Sequence, residues 1–177
     1  MKTWVRVVVV IAMAAHGGCA AIVAHHDFDP AVDFDHFKTF SWISEHPLVL
    51  ASGMNTSLEE RLQQTTRDLL TAKGFRFVAT APDADFVVGF GVGASDKARI
   101  EAYPADYAGQ WTWRVHSTRD IWARQQVEGR LVVDIFDVRS HKPVWHGWST
   151  KPLASSDADA NAIRDALTAI LAHFPPE

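Results

Sequence analysis

Nine histidines, twenty-one carboxylates and one cysteine, Cys19, carry most of the reactive chemistry in this 177-residue chain. The densest group is "HHDFDPAVDFDH", residues 25–36, with His25, His26, Asp27, Asp29, Asp33, Asp35 and His36. These are metal-ligand types, but a calcium loop needs a third oxygen ligand and then a glycine, and Pro30 and Ala31 stand there. Side chains on a solvated tether are not held in coordination geometry, so no metal and no cofactor are expected. Gly89, Gly91 and Gly93 space as G-x-G-x-G with no capped helix behind them, which is not the dinucleotide pattern G-x-G-x-x-G. They read instead as a strand face left bare for a helix or an aromatic ring. Asp134 and Asp137 interrupt an apolar run; three apart on a strand they point to opposite faces, which argues against shared acid–base work. Each reads as a solvent-facing or ion-paired acid. No G-x-S-x-G, H-E-x-x-H or S-x-x-K is present, and the expectation is a protein that is not an enzyme. Trp111 and Trp113 share one strand face and form the candidate ligand or partner surface.

Cys19 ends an apolar run. Lys2 and Arg6 make a short basic start, residues 7–15 are apolar, and His16, Gly17 and Gly18 break the run. That is the length of a secretory h-region, and too short for a membrane span of about 20 residues. Residues 1–18 are therefore read as an export signal. Gly17-Gly18-Cys19-Ala20 resembles the lipobox of bacterial prolipoproteins, although His16 stands where an aliphatic residue is usual. The resemblance implies a diacylglyceryl group on the Cys19 thiol, cleavage before it, and passage to the outer membrane because Ala20 is not Asp. The alternative is ordinary cleavage near Ala20 and a soluble exported protein. One cysteine makes no internal disulfide. Without residues 1–18 the chain loses two bases and no acid, so the net charge goes from −4 to −6, a sign that does not favour nucleic acid.

The elements follow from periodicity. Residues 19–36 read as a lipidated cysteine and tether, and 37–177 as one domain. "FKTFSWI" (37–43), "FRFVA" (75–79) and "DFVVGFGVGA" (85–94) alternate as strands. Residues 44–55 read as a loop. Leu58, Leu62, Leu69 and Leu70 mark a helix face that opens on a Thr56–Glu59 capping box, with Asn55 as a competing cap, and ends before Gly74. "GRLVVDIFDV" and "KPVWHGWST" form a hairpin. Ile163, Leu167, Ile170, Leu171 and Phe174 make the stripe of a second helix. Trp42 and one of Trp145 and Trp148 are expected in the core. Two one-sided helices need a sheet to cover them. The expected fold is α+β: a two-layer sandwich, a mixed, mostly antiparallel sheet of about five or six strands, and two helices packed on one face.

The segments "DFDPAVDFDHFKTFSW", "KGF", "APDADFVV", "EGRLVVDIFDV", "PVWHGW" and "ILAHFPP" resemble the bacterial lipoprotein family called domain of unknown function 4136, over about residues 27–176. The resemblance implies a lipid-anchored envelope protein, carries no enzymatic activity, and transfers only Cys19, as the lipidation site. His146 stands where a basic residue, often Arg, is expected. The leading expectation is therefore a membrane-anchored binding or scaffolding domain with an envelope protein as partner. An unanchored periplasmic small-ligand module is the alternative, and a hydrolase with an unrecognised site the third.

Overall fold

Asn55 starts the first helix, α1 (Thr56–Ala72): its side-chain oxygen accepts the Leu58 N–H at 3.1 Å. The cap is thus Asn55 and not Thr56. The residue one position earlier takes the role because its non-helical backbone aims its side-chain amide oxygen at the first free N–H groups. Lys73 and Gly74 close the helix, with Gly74 at φ 95°, a conformation open to glycine at little cost. Leu58, Leu62 and Leu70 are buried, as the apolar spacing predicts. The computed structural model describes residues 22–50, 55–94, 101–108, 130–153 and 160–176.

Seven strands form one sheet: β1 (Ala24–Phe28), β2 (Thr39–Trp42), β3 (Leu48–Leu50), β4 (Arg76–Phe77), β5 (Phe86–Val92), β6 (Arg130–Asp137) and β7 (Lys142–Pro152). Their order is β1-β7-β6-β5-β2-β4, and β3 also pairs with β5. The long ladders, β5–β6, β6–β7 and β1–β7, are antiparallel. The short ones, β2–β4, β2–β5 and β3–β5, are parallel. Two further α-helices, α2 (Ala105–Ala108) and α3 (Ala160–Leu171), and two single-turn 3-10 helices, Phe34–His36 and Ala81–Asp83, are described. The α+β reading with a mixed sheet holds.

Two expectations change. Residues 24–28 are not tether: they pair residue for residue with Trp145–Ser149, so the sheet starts at Ala24, and Ile22 before it already packs against the core. Residues 29–36 continue it, with Asp29 and Asp33 accepting backbone N–H groups two residues on, each at 2.9 Å. The acids that looked like metal ligands shape turns. Residues 48–50, read as loop, form β3; three residues are too few to show an alternation.

α1 and α3 pack against one another and against one face of the sheet. Leu131, Val133 and Ile135 of β6 point to this layer, with Phe86, Val88 and Phe90 of β5 and Ile163, Leu167 and Ile170 of α3. The opposite face carries a second cluster, in which Tyr103 and Tyr107 cover Val87 and Phe136.

Asp85, from the "APDADFVV" segment, ties β2 to β5. The Lys38 and Thr39 N–H groups and the Thr39 hydroxyl all donate to its Oδ2 at 2.9 Å. Burial alone would raise this carboxyl. The donors at Lys38 and Thr39, with the Arg139 guanidinium, outweigh burial and hold it below its ordinary 3.8. A depressed folded value stabilises the protein above the unfolded pKa, and the contribution is lost as pH falls through the folded one. Asp85→Ala is expected to cost about 2 kcal/mol near neutral pH, by urea denaturation, with the gap to wild type shrinking below about pH 4. A gap that stays constant into acid contradicts this role.

Candidate functional site

A β-bulge in β7 decides which side chains meet on the outer face of the sheet. Asp137 pairs with Lys142 and Phe136 with Pro143, but Ile135 pairs with Trp145 and Asp134 with His146, so Val144 is the extra residue. Both Val144 and Trp145 consequently turn toward the helices, and His146 lands opposite Asp134. The Asp134 carboxylate takes His146 Nδ1 on one oxygen and the Tyr103 hydroxyl, at 2.8 Å, on the other. An ionised carboxylate there requires the proton on Nδ1, which sets the imidazole tautomer. The three residues are 0%, 4% and 5% exposed for Asp134, His146 and Tyr103. Gly89 lies opposite Asp134 on β5, and a Cβ there would come within 2.8 Å of the Tyr103 ring. The bare glycine face thus admits an aromatic ring, as its spacing suggests. His146 also lies against Trp148, with ring centroids 5.2 Å apart, and Trp148 against His25 at 5.5 Å.

An aspartate orienting an imidazole is two of the three members of a hydrolytic triad. Here, among the described residues, the second carboxylate oxygen is taken by a phenol, and all three groups are sealed from solvent. A hydrogen-bonded pin between β6, β7 and the segment around Tyr103 accounts for the arrangement. Asp137, three residues on, does separate work: its carboxylate accepts from the Arg139 and Ser140 N–H groups in the hairpin turn.

The accessible feature lies on the helix side, at the β1 edge. His26 and His173 stack with centroids 4.5 Å apart and planes 13° from parallel. With Phe28, Ala172, Pro175 and Pro176 they line an open cleft of about 440 Å³. Trp145 is the floor beneath the pair: it stacks on His26 at 6.4 Å, and its Nε1–H donates to the His173 carbonyl at 3.2 Å. Gly147 makes this possible, since a Cβ there would overlap the Trp145 ring and meet the Ile170 methyl at 2.7 Å. Burial lowers the His26 pKa below 6.5; the His173 and His25 charges lower it further, and Asp27 partly opposes them.

Of the residues singled out in the sequence, Cys19, Trp111 and Trp113 lie outside the described residues. Trp145 is buried in the helix-side core and Trp148 on the opposite face; Trp42 packs against the core. The described residues hold no group of three or more metal-ligand side chains and no helix long and apolar enough to cross a membrane. The cleft's pairing of His26 with His173, and the Asp134–His146 contact, are not apparent from spacing. The available signals were an acid inside "LVVDIF" and a histidine inside "VWHGW" on the partner strand of one hairpin.

The fold and these sites define a class: a mixed-sheet α+β domain with a buried polar pin on one face and an open histidine cleft at one edge. The chain belongs to the family described as Domain of unknown function (DUF4136), which it matches over residues 24–176. That match begins at the first residue of β1. Among solved structures, a DUF4136 family protein from Bacteroides thetaiotaomicron superposes with a TM-score of 0.56 at 13% identity, over 84% of this chain and 94% of that one. A PDZ domain protein from Parabacteroides distasonis gives 0.51 at 16% identity, over 88% of this chain and 36% of that one. A PelC dodecamer from Paraburkholderia phytofirmans gives 0.47 at 11%, over 85% and 95%. For the first two, at these identities, the likeness is one of fold. No curated protein matches the sequence.

Proposed function

We propose that this chain is a lipid-anchored cell-envelope protein, exported by residues 1–18 and held at the periplasmic face of the outer membrane through Cys19. Its folded domain is a non-catalytic module that binds or scaffolds an envelope partner. The observation that carries the reading is the start of the sheet at Ala24, five residues past Cys19. An acyl-bearing cysteine would then hold the β1 edge within about 20 Å of the bilayer, because five extended residues span at most about 18 Å. Two acyl chains and more suffice for stable anchoring. The sealed Tyr103–Asp134–His146 contact supports the non-catalytic part, since a general base must reach its substrate.

The test is intact-mass measurement of protein from the membrane fraction, together with Cys19→Ser. The expected mass starts at an acylated Cys19, and the Cys19→Ser protein leaves the acylated form and fails to reach the outer membrane. A chain starting near Ala21, without Cys19, or an unacylated Cys19 thiol at the new amino terminus would point to the unanchored module. A free thiol with Gly18 still attached would remove the anchoring reading altogether.

A further inference from the structure

His26 and His173 line an open cleft, and no ring nitrogen of either bonds to protein among the described residues. In stacked rings the N–H bonds and lone pairs lie in the ring planes, so the two imidazoles cannot bond one another. Nor can they share one metal ion, because in-plane lone pairs in planes 13° apart and 4.5 Å between centroids do not converge on a point about 2 Å from each nitrogen. N–H groups lying in two nearly parallel planes can each reach a separate oxygen of a tetrahedral oxyanion. Phe28, Pro175 and Pro176 give the cleft apolar walls, which limit water and strengthen an ion contact.

We propose that this cleft is an anion site, in which the protonated His26–His173 pair takes a phosphate or phosphodiester group. The charged neighbours that act on His26 are His173 from the end of α3 and Asp27 and His25 from its own strand. Empty, His26 resists a proton, first because it is buried and then because of charge on His173. An anion held at the ring edges offsets that cost, so binding takes up protons and tightens as pH falls. The site does not depend on Cys19 being acylated, so its failure and the failure of anchoring are separate results.

The test uses the full chain with ¹⁵N-labelled histidine, in a phosphate-free detergent, followed by NMR. Sodium phosphate is expected to raise the titration midpoints of His26 and His173 by about 1 unit, and sodium chloride at equal ionic strength to leave them in place. Apparent affinity should be at least about tenfold higher near pH 5.5 than near pH 7.5. In a second arm, phosphatidylglycerol vesicles are compared with vesicles of a phosphate-free glycolipid, read from the same two signals so that anchor insertion does not count. A response to phosphate alone assigns a free anion, and a response to phosphatidylglycerol alone assigns a headgroup; either supports the site. His26→Gln and His173→Gln should each abolish the shift of the remaining ring without changing the melting temperature by more than a few degrees. Midpoints that move in neither arm, or equally with chloride, or equally in both variants, overturn it.

Discussion

Replacing Asp134 with alanine should destabilise the domain by about 3–5 kcal/mol, the cost of breaking a buried polar pair by removing one partner. For a chain of this size that lowers the melting temperature by about 6–20 °C. The loss exceeds that of a side chain's contacts, because the variant leaves His146 Nδ1 and the Tyr103 hydroxyl buried without the acceptor they now share. The control is a double variant, Asp134→Leu with His146→Leu. Replacing both members of a buried pair with apolar groups is often near neutral, so the double variant should recover more than half of the loss. Thermal and urea denaturation of the three proteins checks both statements. A single variant within about 1 kcal/mol of wild type would mean that the carboxylate is solvated and that the pin does not hold Tyr103 down.

Why the pin escapes a reading of the sequence is visible in β7. Counting outward from the hairpin turn, where Asp137 pairs with Lys142, puts Asp134 opposite Trp145. The bulge at Val144 shifts the register by one, and a shift of one moves every later side chain to the other face. His146 becomes the partner of Asp134, and Trp145 goes to the core. Nothing in "KPVWHGWST" marks a bulge, and Tyr103 comes from 31 residues away in sequence. By contrast, α1, α3, β5 and the β6–β7 hairpin were legible because each carries enough residues to show a period. β1 was hidden for a chemical reason. In "AHHDF" the period of two is present, with Ala24, His26 and Phe28 on one side and His25 and Asp27 on the other. Imidazole counts as polar in such a pattern, whereas His26 and His25 both behave as flat rings, one stacked on His173 and Trp145 and the other against Trp148.

Trp145→Ala is expected to be as damaging as loss of Asp134, at about 3–5 kcal/mol, but by another route. The ring is fully buried, packs edge-on against Phe174 at 5.5 Å, and underlies His26. Its removal opens a cavity between β7 and the residues that follow α3. Trp145→Phe keeps most of that volume and loses the bond to the His173 carbonyl, so about 1–2 kcal/mol is expected from it. The two variants therefore separate packing from hydrogen bonding. They also bear on the cleft: the alanine variant removes the floor that holds His26 parallel to His173, and its two histidine signals should lose their response to phosphate. The phenylalanine variant should retain a weakened response. If the alanine variant melts within about 2 °C of wild type, a loss below about 1 kcal/mol, Trp145 is not the element joining the C-terminal residues to the sheet.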